Sequence, residues 1–392
     1  MNDTGSALLA PVDSHERYTA LDLLRGFAVF GVLMVNLLDF FRLSLFDHFQ
    51  NFHSHPGWWN HAIDLIVAEL IEFKAINLFS LTFGIGVAIQ AERANARGVA
   101  VESFLIRRFL ILMAFGAVHM TLISNVDILC LYALCGLALI PFLRLPAVVL
   151  AIVGLAAIYL PSLLAPLATF PSRGAVLADH AVNATRIYGH GTFGAILPFR
   201  WAETKTLILP LLIFTAQRTF GLMSLGVALW KAGIVRDPQR FRLYLWCVCL
   251  AGLIIGLTNT TIEVVAQSTG RHVRVPAILD FLGSNIPLAF AYAAALLLWK
   301  RSARSDRFLA PFAAMGRMAF TNYLMQSIVF AWLFYGFGLG LFGRLTPVEA
   351  GAIGAGVYAG QLWLSTWWLS RHRFGPFEWL WRIASYGRRL LA

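Results

Sequence analysis

His119 and Asp127 are the residues in this sequence best placed for acid–base chemistry. His119 lies near the end of one apolar segment, and Asp127 opens the next segment after a tight turn. A helical hairpin would bring the two side chains together, and an imidazole held by a carboxylate is the usual arrangement of a general base. The competing interpretation is a buried histidine satisfied by hydrogen bonds, with Asp127 acting only as a helix N-cap.

A second candidate site opens the first apolar segment, where Asp22 and Arg25 lie three residues apart and therefore share one helix face. This spacing is typical of an interfacial ion pair, and it also suits a site that binds the phosphates of a cofactor from the cytoplasm. Gly26 follows directly and would permit close approach of another backbone or a ligand. Arg317 would join this site if its own segment packs against the first one.

Other polar residues lie inside apolar segments, where a charge costs about 2.5–3.5 kcal/mol and therefore needs a partner, water or a function. We predict that these residues line a substrate cavity: Asn36, Glu72, Arg218, Asn322, Tyr323 and Gln326. Hydrogen bonds between helices are the alternative role for the last three. A histidine-rich stretch between residues 48 and 61 matches no strong metal motif, so we predict no metal site there.

These residues must be positioned by helices in a membrane. The chain has 392 residues, of which 59% are hydrophobic and 13% charged, and its mean hydropathy is +0.70. Soluble domains are about 25% charged, and about 20 apolar residues span the bilayer core. We predict an all-α polytopic membrane protein with about ten transmembrane helices, at residues 20–41, 62–91, 104–123, 127–143, 147–168, 206–230, 243–264, 276–299, 312–338 and 349–370.

The basic residues indicate how these helices are oriented. Most of the 31 Lys and Arg residues fall in segments on the side of the N-terminus, and such residues accumulate in cytoplasmic loops. We therefore predict a multi-pass protein of the plasma (inner) membrane, with N-in and C-in orientation and the lipid bilayer as its partner. The net charge of +11 is explained in this way without a nucleic-acid partner.

The domain organisation follows from the same pattern. We expect residues 1–19 to form a cytoplasmic N-terminal segment and residues 20–370 to form a single transmembrane helical domain with an external loop at about 169–205. Residues 371–392 form a cytoplasmic tail that mixes Trp and Phe with Arg, which is typical of an amphipathic helix at the membrane interface. A homodimer is left open.

Several segments together resemble a known family. In chain order they are LDLLRGFAVFGVLMVN, FSLTFGIG, RRFLILMAFGAVH, DILCLYAL, GRMAFTNYLMQS, FYGFGLGLFG and FGPFEWLWR, and they resemble the YeiB-like family of bacterial inner-membrane proteins over nearly the whole chain. The front end is also similar to transmembrane acyltransferases of the heparan-sulfate acetyltransferase type. The shared signature is Asp-x-x-Arg-Gly, formed here by Asp22, Arg25 and Gly26.

The resemblance to acyltransferases carries a second candidate histidine. Those relatives have a reactive histidine in a His-x-x-Trp setting before the second span, and His55 and Trp58 match this spacing. The glycine that follows in the relatives is replaced by Asn60, and Asp64 falls one place out of register. His119 fits the YeiB-like pattern better and ranks above His55.

The resemblance implies a membrane acyltransferase with acyl-CoA as its co-substrate. Asp22 and Arg25 would form the inner wall of the acyl-CoA site, and Arg25 with Arg317 would hold the CoA phosphates. His119, oriented by Asp127, would deprotonate the acceptor, which is an envelope glycan, a lipid or a small molecule. Two other functions stay open at this point. One is a transporter or exporter of a small molecule, and the other is a non-catalytic membrane partner or pH sensor.

Overall fold

The computed structural model describes residues 19–44, 57–164, 174–269, 285–299 and 303–386. All regular structure in these ranges is helical, which confirms the predicted all-α class. In chain order the helices are α1 (Thr19–Val35), α2 (Trp58–Leu70), α3 (Lys74–Ala96), α4 (Val101–Leu122), α5 (Ile128–Leu139), α6 (Ala147–Leu164), α7 (Gly174–His190), α8 (Phe193–Glu203), α9 (Leu209–Lys231), α10 (Arg242–Thr269), α11 (Asn285–Leu298), α12 (Ala303–Arg317), α13 (Ala319–Phe334), α14 (Pro347–Leu369) and α15 (Pro376–Tyr386).

Two helical segments in the described part of the chain are both long and apolar enough to cross a bilayer. They are Thr19–Phe41, which includes a π-helical turn after α1, and Arg242–Ile262 within α10. Shorter apolar helices lie at Ile128–Arg144, Ala147–Leu160, Asn285–Leu298 and Ala319–Phe334. The two long helices are consistent with membrane association, and the number of crossings stays a prediction.

Two of the predicted spans are broken. The span predicted at 62–91 divides into α2 and α3, and Phe73 at the break has a positive φ of 56°, which is rare for a residue with a side chain. The span predicted at 312–338 divides at Met318 into α12 and α13. The first-turn amides of α13 at Phe320 and Thr321 donate instead to the carboxylate of Glu378 in α15, so a tertiary contact stabilises the second break.

The segment at 169–205, predicted as an external loop, contains two helices in its described part. α7 and α8 place Ala184, Tyr188 and Ile196 in an apolar cluster that also contains Leu33 and Phe41 near the end of α1. The four-residue spacing of Ala184 and Tyr188 puts both on one helix face. The segment is therefore packed onto the helical domain.

Helix α1 lies at the centre of the fold and packs against α3 and α12. Its crossing with α12 is very close, because the backbones meet at Gly26 and Gly316. A Cβ on Gly316 would overlap the carbonyl oxygen of Asp22, and a Cβ on Gly26 would overlap that of Phe312. Arg25 of α1 and Arg317 at the end of α12 are the chain neighbours of these two glycines and therefore lie at the same helix crossing.

Candidate functional site

The helical hairpin of α4 and α5 brings His119 and Asp127 into contact. The Nδ1 atom of His119 lies 2.9 Å from Oδ1 of Asp127, and both side chains are almost fully buried. The approach lies away from the direction of a straight hydrogen bond, so it is best described as a close polar contact. The second carboxylate oxygen of Asp127 accepts a 2.6 Å hydrogen bond from the amide of Cys130. Asp127 therefore caps α5 and faces the imidazole at the same time.

The other imidazole nitrogen of His119 is available for a further hydrogen bond. Its Nε2 atom makes no hydrogen bond to any residue in the described ranges. The ring packs against Tyr323 of α13 with 5.1 Å between ring centroids. The Tyr323 hydroxyl donates to the carbonyl of Val126 and accepts from the amide of Ile128, each at 3.4 Å. Tyr323 thus holds the turn that joins the two helices.

Tyr323 also lines a cavity of about 220 Å³, whose lining does not include His119. We call it the arginine cavity, because Arg25, Arg108, Arg317 and Arg382 all line it. The rest of its wall is largely aromatic and apolar, and the main contributors are Phe79, Phe83, Phe109, Tyr132, Phe320, Tyr323, Phe374 and Trp381. Arginines bind anionic groups, and aromatic side chains bind apolar or planar groups, so this lining suits a ligand that has both.

Arg25 is held at this cavity by its own helix and by α3. Its Nη2 atom donates to the carbonyl of Thr82 at 3.3 Å, and its Nη1 atom lies 3.8 Å from the carboxylate of Asp22. Asp22 itself does not line the cavity. Gly86 makes room for the guanidinium, since a Cβ at that position would lie 2.7 Å from Nη2. The predicted ion pair is present, and it leaves Arg25 facing the cavity.

Helix α15 closes one side of the arginine cavity. Glu378 accepts the amides of Phe320 and Thr321, at 2.8 and 3.0 Å, and the Thr321 hydroxyl at 2.5 Å. The guanidinium carbon of Arg108 stacks 3.6 Å above the Trp381 ring, and the indole N–H donates to the Arg108 carbonyl. The amphipathic tail therefore docks on the helical domain through specific polar contacts.

Sequence reasoning missed Arg108, Arg382 and Glu378 as members of this site. All three lie in segments that carry the family resemblance, RRFLILMAFGAVH and FGPFEWLWR, which was the available signal. Glu378 and Arg382 are also four residues apart and so share one face of α15. What could not be inferred was the docking of the tail against α4 and α13, because it depends on contacts distant in sequence.

The buried position of Glu378 predicts that docking of α15 depends on pH. Burial raises the pKa of Glu378 above the ordinary value of 4.5, and the hydrogen bonds from Thr321 and Phe320 oppose this only in part. Because the pKa is higher in the docked state, docking is strongest below the ordinary glutamate pKa and weakens as the pH rises through the raised value. Hydrogen exchange of α15, corrected for the intrinsic rate at each pH, should therefore become faster as the pH rises.

Two variants test the origin of this dependence. Glu378→Gln keeps the hydrogen-bonding shape without the charge and should remove most of it. Glu102→Gln removes an exposed carboxylate and should leave it unchanged. If hydrogen exchange of α15 still depends on pH in Glu378→Gln, the dependence does not come from Glu378.

The remaining predicted cavity residues lie elsewhere. Asn322 and Gln326 do not line the arginine cavity; their side-chain amides donate to Ser365 at 2.9 Å and to Gln361 at 2.8 Å, which joins α13 to α14. These contacts match the interhelical alternative. Three further residues, Asn36, Glu72 and Arg218, also lie outside the lining of that cavity. Asn36 is buried in the π-helical turn, and the Arg218 guanidinium lies 5.5 Å from the Phe73 ring. His55 lies outside the described residues.

Comparisons with known proteins place the chain in a family described as one of unknown function. A family model described as a protein of unknown function, DUF418, matches residues 229–388. The uncharacterized protein YxaH of Bacillus subtilis is 34% identical, over 96% of each chain. The uncharacterized protein YeiB of Escherichia coli is 28% identical, over 94% of this chain and 96% of YeiB. No solved structure matches the chain. On the strength of near full-length similarity to YxaH, the chain belongs to the YeiB-like DUF418 family.

Proposed function

We propose that this protein is a membrane acyltransferase that moves an acyl group from cytosolic acyl-CoA to an envelope glycan, lipid or small-molecule acceptor. One observation carries the proposal. Arg25, Arg317 and Tyr323 all line the arginine cavity, and the Tyr323 ring packs against His119. A site for a phosphorylated ligand therefore lies next to a candidate general base.

The proposal includes the membrane topology of ten spans, with both termini in the cytoplasm. Large apolar side chains on many helices point outward, among them Leu110, Leu134, Ile152, Leu243 and Ile254. Soluble monomers rarely expose apolar surface on this scale, whereas lipid contact requires it. In this topology α15 lies at the inner face of the inner membrane, and the arginine cavity opens toward the cytoplasm, where acyl-CoA is found.

The chemistry of the cavity suits acyl-CoA. Arginine binds phosphate through a planar set of donors, which makes it well suited to the phosphates of CoA. The aromatic wall provides an apolar path for the pantetheine arm and a stacking surface for adenine. In this arrangement Arg25 and Arg317 hold phosphate, and the thioester reaches toward Tyr323.

The transfer step uses the His119–Asp127 pair. His119 Nε2 accepts the proton of the acceptor hydroxyl or amine, and the acceptor atom forms a bond to the thioester carbonyl carbon. The C–S bond then breaks, and the CoA thiolate leaves and takes up the proton from His119. Asp127 keeps the imidazole oriented and stabilises its protonated form. In this proposal Tyr323 moves aside for the thioester to reach His119, since Tyr323 lines the cavity and packs against the imidazole, whereas His119 is not in the lining.

The first experiment measures CoA binding to the purified protein in detergent. Arg25→Gln and Arg317→Gln should each weaken CoA binding by about tenfold or more, because each removes a charged hydrogen-bond donor to phosphate. Arg107→Gln is the matched control: Arg107 is exposed, adjacent in sequence to Arg108, and absent from the cavity lining. Isothermal titration with CoA gives the dissociation constants directly.

The same ligand tests the orientation in sealed vesicles. CoA release from labelled acetyl-CoA should occur in inside-out vesicles and be absent from right-side-out vesicles. Release from right-side-out vesicles alone would contradict the topology, and no binding of CoA or of its longer acyl forms would contradict the acyltransferase proposal.

A transporter or exporter of a small molecule is the second candidate function, favoured by acidic residues buried among the helices. Asp39 and Asp64 are buried, and the charge of Asp39 interacts with those of Glu72, Asp64 and Arg42. Acidic groups inside membrane helices frequently belong to proton relays and ion pathways. Substrate flux into proteoliposomes without covalent change and without CoA binding would favour this function.

A further inference from the structure

A second buried polar cluster lies on α7 and α8, with Glu203 at its centre. One Glu203 oxygen accepts from His180 Nε2 at 2.8 Å, and the other accepts from the Tyr188 hydroxyl at 2.6 Å. The second oxygen also accepts from the side-chain amide of Asn125. The Glu203 carboxylate thus accepts from three donors and is only 7% exposed.

Arg200, one turn earlier on α8, lacks such a full set of hydrogen-bond partners. Its side chain is about 1% exposed, and its Nη1 atom makes a long 3.5 Å hydrogen bond to the carbonyl of Thr121. Within the described part of the chain, Nε and Nη2 make no hydrogen bond of regular geometry. Tyr335 lies beside it, with its ring centroid 5.4 Å from the guanidinium carbon and its hydroxyl close by. A buried cation with unused donors is unfavourable unless an anion completes it.

The Arg200 cluster contacts the hairpin that carries His119 and Asp127. Thr121, which accepts from Arg200, is two residues after His119 in α4, and two residues in a helix lie roughly 5 Å apart at Cα. Asn125, which donates to Glu203, lies in the turn between His119 and Asp127. An anion bound at Arg200 would therefore lie near the end of α4 that carries His119.

We propose that Arg200 binds the anionic group of the acceptor, so that the acceptor is a hydroxyl or amine compound that carries a phosphate or a carboxylate. This inference rests on the proposed acyltransferase function. The Glu203 cluster fixes α8, and because the Glu203 oxygens accept from His180, Tyr188 and Asn125, the Nε and Nη2 donors of Arg200 remain for the ligand. A phospholipid head group and a soluble phosphate ester share this chemistry.

The test uses glycerol 3-phosphate as the soluble probe, phosphatidylglycerol in nanodiscs as the lipid probe, and glycerol as the neutral control. Thermal unfolding of the full-length protein is followed at constant ionic strength as each probe is titrated. At least one anionic probe should raise Tm, and glycerol should not. Arg200→Gln should raise the apparent Kd of that probe by about tenfold or more, and Arg200→Lys should give an intermediate value.

Matched variants separate this inference from the proposed function. Lys205→Gln, which removes an exposed cation close by on the chain, should leave the shift unchanged. A shift that survives in Arg200→Gln, or no shift with either anionic probe, overturns the inference even if CoA binds. An Arg200-dependent shift without CoA binding leaves the anion site standing and removes the acyltransferase.

Discussion

Replacing His119 by Gln is expected to lower acyl transfer by about 10²- to 10⁴-fold, because the reaction loses its general base. CoA binding should stay near the wild-type value, since His119 does not line the arginine cavity. The measurement follows label and free CoA after mixing the purified protein with acetyl-CoA labelled on the acetyl group. An unchanged rate of CoA release in His119→Gln would remove His119 from the mechanism.

Asp127 allows a sharper version of this experiment. Asn is as good a helix N-cap as Asp, so Asp127→Asn should keep the bond to the Cys130 amide and preserve α5. It removes the negative charge that stabilises a protonated His119. A large loss of transfer with an unchanged melting temperature would show that Asp127 does more than cap α5. Wild-type activity in Asp127→Asn would instead support the interpretation of Asp127 as a cap alone.

The contact of His119 with Asp127 could be predicted because it is local. Only a short turn separates the two apolar segments, and a hairpin of two helices necessarily brings their adjoining ends together. That Arg25 and Arg317 belong to one site could be predicted only on the condition that their two segments pack together. Gly26 and Gly316 allow this packing, but in the sequence they cannot be distinguished from glycines at other helix crossings.

The parts that could not be predicted depend on contacts between distant segments. The segment around Met318 is predicted as part of one continuous helix, and the contact that stabilises its break, Glu378 accepting the amides of Phe320 and Thr321, comes from a distant part of the chain. The same docking brings Arg382 into the arginine cavity. Likewise, the polar composition of residues 169–205 favoured a loop, and the helices α7 and α8 in this segment were not predicted. Hydropathy was sufficient to predict the all-α class. Predicting which residues line the cavity would have required knowing how the helices pack.

Replacing Gly316 by Ala is expected to produce the largest loss of stability among these variants, about 3 kcal/mol. The added Cβ would overlap the carbonyl oxygen of Asp22, and rigid backbone on both sides prevents local relief. The α1–α12 crossing must widen, which separates Arg25 from Arg317 and should weaken CoA binding as well. Thermal unfolding in detergent measures the first effect, and titration with CoA measures the second.

Gly360 in α14 provides the matched control, because a Cβ there would meet open space. Gly360→Ala should be neutral or stabilising, by up to about 1 kcal/mol, since alanine favours helix more than glycine does. Equal stability of Gly316→Ala and Gly360→Ala would mean that the crossing has room to spare and does not hold the arginines together.

The double variant with Gly26→Ala tests whether one crossing explains both glycines. Gly26 and Gly316 meet the opposite backbone at the same point, through Phe312 and Asp22 respectively. Once the first alanine has forced the helices apart, the second finds part of the space it needs. The double variant should therefore lose less stability than the two single variants together, whereas independent sites would simply add. If the losses of unfolding free energy in the two single variants simply add in the double variant, the two glycines act independently. A single contact would then not explain the positions of Arg25 and Arg317.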